Sequence, residues 1–249
     1  MKKIFLGLIA LTLTLNACSS SDDSNDTTND ALLSKIVETY EDGYVSTLLV
    51  TYSGNKILKL DWDGEEVTEF TYTGNLITQE KYFLDGDLED VITYEYDANE
   101  RLIRSTRVET NSFTEVDEYT HNVDGTVSFV TERDGELAAN GTFYFNNNRP
   151  YKKEITKYYE GFESDEVIEV TFDDKNEPFK NVTGYNKLNF ALPNLKSDIE
   201  DNVNNVLTVK RDTFTILTTT YTYNSNNFPA TSTTTGTSMD DNYTSVYFY

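Results

Sequence analysis

The chain has 249 residues, with 20 Lys and Arg against 43 Asp and Glu, a formal net charge of -23 and a sequence pI near 4.2. A surface this acidic repels a phosphate backbone, which excludes nucleic acid as a partner. One Cys and one His cannot build Cys/His zinc sites, a disulfide framework or His-based nucleophilic machinery, and no cofactor is expected. Aromatic residues make up 13% of the chain, so a core can be buried despite a mean hydropathy of -0.54.

Lys2 and Lys3 precede an apolar run from Ile4 to Leu15, and Ala17 stands directly before Cys18. A short basic segment, an apolar run too short to span a bilayer and small residues before a cleavage point describe a secretory signal. Leu15-Asn16-Ala17-Cys18 resembles the bacterial lipobox. That resemblance implies cleavage before Cys18 and acylation of Cys18, a membrane attachment that needs no transmembrane span. Residues 19–30 read SSSDDSNDTTND and contain nothing to bury. The expected organisation is a signal at 1–17, a lipidated Cys and acidic tether at 18–31, and one β-repeat domain at 32–249. The Ser-rich, then acidic, start of the tether is similar to the surface-export signal of Bacteroidetes lipoproteins.

From Leu48 onward, short runs ending in an aromatic recur, with ends at Tyr52, Tyr72, Tyr96, Phe145, Phe172 and Tyr223. The two long intervals, Tyr96 to Phe145 and Phe172 to Tyr223, are close to twice the short ones. They predict further units near Thr120 and Asp198 that lack the aromatic. Within units the apolar period is two: Leu58, Leu60 and Trp62 share a face, as do Ile92, Tyr94 and Tyr96, and Ile168, Val170 and Phe172. Turn formers such as Asp63-Gly64, Thr73-Gly74-Asn75, Asp85-Gly86 and Asp134-Gly135 stand between the runs. The expected fold is all-β, a long antiparallel meander of about a dozen strands in hairpin repeats of about 24 residues. It would form a curved or partly closed single sheet, and the pattern does not decide whether that sheet closes into a barrel. One irregular insertion is expected at 186–206, with a short helix around Asn194 to Asp201.

The unit Tyr94-Glu95-Tyr96-Asp97-Ala98-Asn99-Glu100-Arg101-Leu102 resembles the Tyr-Asp, RHS-like repeats of bacterial surface proteins. With the lipobox and the segments from Asp174 to Phe179 and from Asn224 to Pro229, the chain is similar to Bacteroidetes β-repeat lipoproteins. Most units replace the Asp after the aromatic, by Ser53, Thr73, Asn146 or Asn224, whereas Asp173 keeps it. The resemblance implies a sheet scaffold with a surface or shell role, and it carries no catalytic residues.

The chemistry inventory is short. His121 has no His or Cys partner nearby and reads as a solvent-facing strand-end residue. Asp85, Asp87 and Asp90 offer oxygen ligands suited to Ca²⁺, but without EF-hand spacing and in a turn, where Asp is common. Tyr221 and Tyr223, inside the charge-free stretch from Ile216 to Met239, are the candidate ligand-binding aromatics. The expected function is a non-enzymatic cell-surface or outer-membrane lipoprotein that binds or scaffolds an envelope protein or glycan. It would touch the membrane through its lipid alone. The alternative is an envelope glycan hydrolase using a carboxylate pair.

Overall fold

The computed structural model describes residues 31–147, 149–189, 204–238 and 242–249. The expected signal, Cys18 and residues 19–30 lie outside them, as does the candidate helix at 194–201. The first eight strands are β1 (Lys35–Tyr40), β2 (Val45–Ser53), β3 (Lys56–Trp62), β4 (Glu66–Thr73), β5 (Leu76–Leu84), β6 (Asp87–Tyr96), β7 (Leu102–Glu109) and β8 (Thr114–His121). They are followed by β9 (Val127–Arg133), β10 (Glu136–Asn146), β11 (Arg149–Tyr159), β12 (Phe162–Phe172), β13 (Val206–Arg211), β14 (Phe214–Tyr223), β15 (Pro229–Gly236) and β16 (Tyr243–Phe248).

Every strand pairs antiparallel with its sequence neighbours, and β1 pairs with β16 from Lys35↔Phe248 to Tyr40↔Tyr243. The sheet is therefore a closed barrel of sixteen strands, which corrects the expected curved or partly closed sheet of about a dozen. The physical reason lies at the two terminal strands, whose unpaired N–H and C=O groups would form edges in an open meander. Here they satisfy each other, extended by the Ser34 N–H donating to the Phe248 carbonyl at 2.7 Å. Hairpin periodicity encodes only neighbours in sequence, so it carries no record of this closure.

The interval from Tyr96 to Phe145 holds the extra unit expected near Thr120, whose strand β8 ends at His121. The interval from Phe172 to Tyr223 does not hold a second one, because β12 pairs directly with β13. Its extra length lies in the connection 173–205, so the irregular segment begins at Asp173 rather than at residue 186.

Register and burial assign the faces. Ile92, Tyr94 and Tyr96 point into the lumen, as do Ile168, Val170 and Phe172. The trio Leu58, Leu60 and Trp62 is split, because Thr51 faces Lys59 while Tyr52 faces Ile57, and the resulting bulge turns Leu58 out to solvent. The two ends of the barrel differ. At one end, Asp85-Gly86, Asp134-Gly135 and Glu160-Gly161 fill two-residue hairpins with positive φ at both positions, the geometry that matches strand twist.

At the other end the chain enters through Ala31 and is closed by the 173–205 connection. Phe179, Val182, Tyr185 and Leu188 of that connection are buried in one apolar cluster with Leu33, Ile57, Ile77 and Leu102. Burying each such side chain contributes about 1.5–3 kcal/mol. The plug is stitched down by the Thr183 N–H on the Asn55 carbonyl at 2.8 Å and by Asn181 Nδ2 on the Ala31 carbonyl at 3.0 Å. Gly184 sits at φ +78°, where a Cβ would lie 2.4 Å from the Asn75 carbonyl oxygen, so only glycine fits this approach. A single 3-10 turn at Tyr185–Lys187 follows.

Candidate functional site in the barrel lumen

At mid-height the outward face carries charged side chains among apolar ones such as Leu49 and Val130. Lys59, Glu69 and Lys81 stand in direct register across β3, β4 and β5, Arg104 faces Glu118 across β7 and β8, and Glu169 faces Lys210 across β12 and β13. Between β12 and β15, Thr171, Thr208, Thr218 and Thr235 occupy one outward row. The lumen is apolar toward the plug and charged toward the hairpin end. There the Arg107 guanidinium grips the Asp90 carboxylate at 2.8 and 2.9 Å. Arg133 meets Glu115 at 2.6 Å, and Arg211 and Lys157 both approach Glu166 at 3.4 Å. The Arg133 guanidinium also lies 4.3 Å from the Phe113 ring centre.

A cavity of about 440 Å³ opens at the hairpin end against β1–β4. Its floor is Ile36, Leu48, Leu60 and Phe179 of the plug, and its waist carries Glu38 and Ser46. Tyr40, Tyr44 and Trp62 form the upper walls beside Asp63, Glu65 and Glu66. Glu38 is only 7% exposed and accepts the Tyr40 hydroxyl at 2.9 Å. Asp63 accepts Ser46 Oγ at 2.7 Å and the Thr47 N–H at 2.8 Å. A second, larger cavity of about 810 Å³ lies at the plug end between Leu102, His121, Phe145 and Arg149. It reaches Asn189 and Asn204, the described residues flanking 190–203, and no site is assigned to it.

The residues singled out from the sequence fall as follows. Asp90 is buried and held by Arg107, while Asp85 occupies the β5–β6 turn at φ +52° and Asp87 opens β6. Among the described residues no group of three or more His, Cys, Asp or Glu is gathered as a metal-ligand set. Tyr221 and Tyr223 face the lumen with their rings stacked at 6.1 Å, and burial raises both hydroxyl pKa values. The Tyr223 hydroxyl donates to Asp173, whose carboxylate also accepts the Asn205 N–H and side-chain amide, so this pair anchors the plug. His121 ends its strand as expected. It faces inward rather than to solvent, with Nε2 on the Leu102 carbonyl at 2.8 Å. Cys18 lies outside the described residues.

Burial pushes the Glu80 carboxyl up to about 7, against the Tyr94 hydroxyl, which donates to it at 2.9 Å and favours the charged form. Such a value suits a general acid, but Glu80 is 4% exposed and lines neither of these cavities. Sequence reasoning passed over the β1–β4 cavity. Its one local signal is Asp61-Trp62-Asp63-Gly64-Glu65-Glu66, a turn carrying the only Trp of the chain among five acidic or turn-forming residues.

No family model matches the chain, and no curated protein matches it. Among solved structures, the barrel is similar to a porin-like protein from Bacteroides vulgatus ATCC 8482, with 11% identity over 88% of this chain and 98% of that one, at a TM-score of 0.57. It is also similar to a porin-like protein from Bacteroides uniformis ATCC 8492, with 14% identity over 87% of this chain and 96% of that one, at a TM-score of 0.50. At these identities the likeness is one of fold, and it extends over nearly the full length of both proteins.

Proposed function

We propose that this chain is a non-enzymatic lipoprotein of the outer membrane whose barrel stands in water and presents its hairpin end to an envelope protein or glycan. The observation that carries this reading is the charge on the outer wall of the barrel. A membrane-spanning barrel is apolar outside and polar within, whereas here Lys59, Glu69 and Lys81 occupy outward mid-strand positions over a lumen whose plug half is apolar. A Lys at the bilayer midplane costs roughly 2–4 kcal/mol. Nine of the described strands have only 6 to 8 residues, fewer than the ~9–11 needed to cross a bilayer. The porin-like Bacteroides proteins thus lend the architecture and the envelope setting, and the wall chemistry argues for a tethered rather than inserted barrel.

The lipid on Cys18 then does the anchoring. Because the chain enters the barrel at the plug end, the plug faces the membrane and the hairpin rim faces away. Tyr159, Phe162 and Phe214 protrude from neighbouring hairpins on that rim, 74%, 77% and 72% exposed, an apolar patch suited to partner contact. The test is fractionation of Cys18→Ala. It should leave the membrane pellet and behave as a folded β-protein without detergent, while a variant that still needs detergent for solubility would overturn the reading.

A further inference from the structure

We propose that the cavity against β1–β4 binds a small organic cation, an ammonium or guanidinium head carried on an apolar body. The walls are aromatic: the Tyr40 and Tyr44 ring centres are 5.8 Å apart, and Tyr40 lies 5.4 Å from Tyr243. Trp62 faces them from the next hairpin. Aromatic faces attract cations, most strongly in a partly desolvated setting.

The hydrogen-bonding polarity of the lining points the same way. Tyr40 donates to Glu38 at 2.9 Å, and Ser46 and Tyr44 donate to Asp63 at 2.7 and 3.4 Å. Hydroxyl protons are thereby spent on carboxylates, and the cavity is left rich in acceptors. The described lining contains no Lys, Arg or His. A sugar would demand donors as well as acceptors, whereas an ammonium or guanidinium brings its own.

Elsewhere in the same lumen three carboxylates meet cations of the chain: Asp90 meets Arg107, Glu115 meets Arg133, and Glu166 meets Lys157 and Arg211. Among the described residues no ion pair reaches Asp63, Glu65 or Glu66. The floor of Ile36, Leu48, Leu60 and Phe179 supplies the apolar half of the site.

The proposal rests on the reading that the hairpin end is open to water, and it is independent of how the chain is anchored. Trp62, the only Trp of the chain, is the reporter. The full chain in detergent is titrated with phenethylammonium, with its neutral isostere 2-phenylethanol and with maltose while Trp62 emission is followed. Phenethylammonium should give a saturable change with an affinity at least about tenfold above that of 2-phenylethanol. The double variant Glu65→Gln, Glu66→Gln, at two exposed positions, should weaken it about fivefold or more with an unchanged melting temperature. Equal affinity for the alcohol, a response to maltose in place of the cation, or unchanged affinity in the folded variant overturns the proposal. A Cys18→Ala chain that stayed in the membrane would refute the anchoring reading and leave this titration as it stands.

Discussion

The Asp134 carboxylate accepts the Thr114 N–H at 2.9 Å while the Asp134 N–H donates to the Thr114 carbonyl at 2.8 Å, so one turn residue ties its hairpin to the strand beside it. Asp63 makes the same double contact with Thr47, and Asp212 with Val167. The rim is thus laced turn to strand.

Asp134 sits at φ +53°, where Asn is tolerated and Ala is strained. Asp134→Ala should lose about 1–3 kcal/mol in chemical denaturation, from the lost acceptor and the strain together. Asp134→Asn keeps an acceptor and the conformational preference, and should stay within about 1 kcal/mol of the parent.

Glu80 makes stability fall as pH rises. Its folded pKa of about 7 lies above the ordinary 4.5, so the folded state binds the extra proton between those values. Stability from this group is complete below about pH 4.5 and is lost as pH climbs through 7. Relative to the parent, Glu80→Gln should gain up to about 3 kcal/mol between pH 4.5 and 8. Denaturation midpoints of both chains across that range check it, and parallel curves would refute it.

Gly141 points inward on β10, where an added Cβ would lie 2.1 Å from the Glu154 carbonyl oxygen and 2.6 Å from the Phe129 ring. Gly141→Ala should cost at least about 3 kcal/mol, read as a drop in melting temperature. Adding Phe129→Leu relieves the ring but not the backbone oxygen, so the double variant should remain destabilised.

Asp173 accepts the Lys175 N–H at 2.9 Å and the Asn205 N–H at 3.0 Å, pinning both ends of the plug connection. Asp173→Ala should raise the rate of proteolytic cleavage between residues 173 and 205 several-fold, scored by mass spectrometry, with the strands still protected.

The repeat was legible in the sequence because it has a physical basis at the plug end. The Tyr96 hydroxyl donates to the Ile77 carbonyl at 2.7 Å, and His121 Nε2 reaches the Leu102 carbonyl at 2.8 Å, each spanning nineteen residues. His121 therefore fills the aromatic's place in the unit near Thr120 that lacked one. At two of these units the Asp or Asn after the aromatic serves as a turn acceptor. Asp97 takes the Asn99 N–H at 2.8 Å and Asn224 takes the Asn226 N–H at 2.9 Å. Other features left no local trace. Leu58 leaves its expected face through a bulge set by the partner strand, and the candidate cavity joins Ile36 to Phe179 across most of the barrel sequence. Such contacts are decided by register and plug docking, which period-two patterning does not encode.

Closure has a kinetic consequence. Fourteen of the strand pairings are hairpins that can form quickly, β12 and β13 meet across the 173–205 connection, and the last pairing brings Lys35 to Phe248. Until β16 arrives, β1 and β15 each present a free ladder edge, and another copy of the chain is an equally good partner for it. Folding chains should therefore be most prone to cross-pairing in the interval before β16 is in place. A chain shortened by β16 would be an adhesive open sheet rather than a smaller barrel.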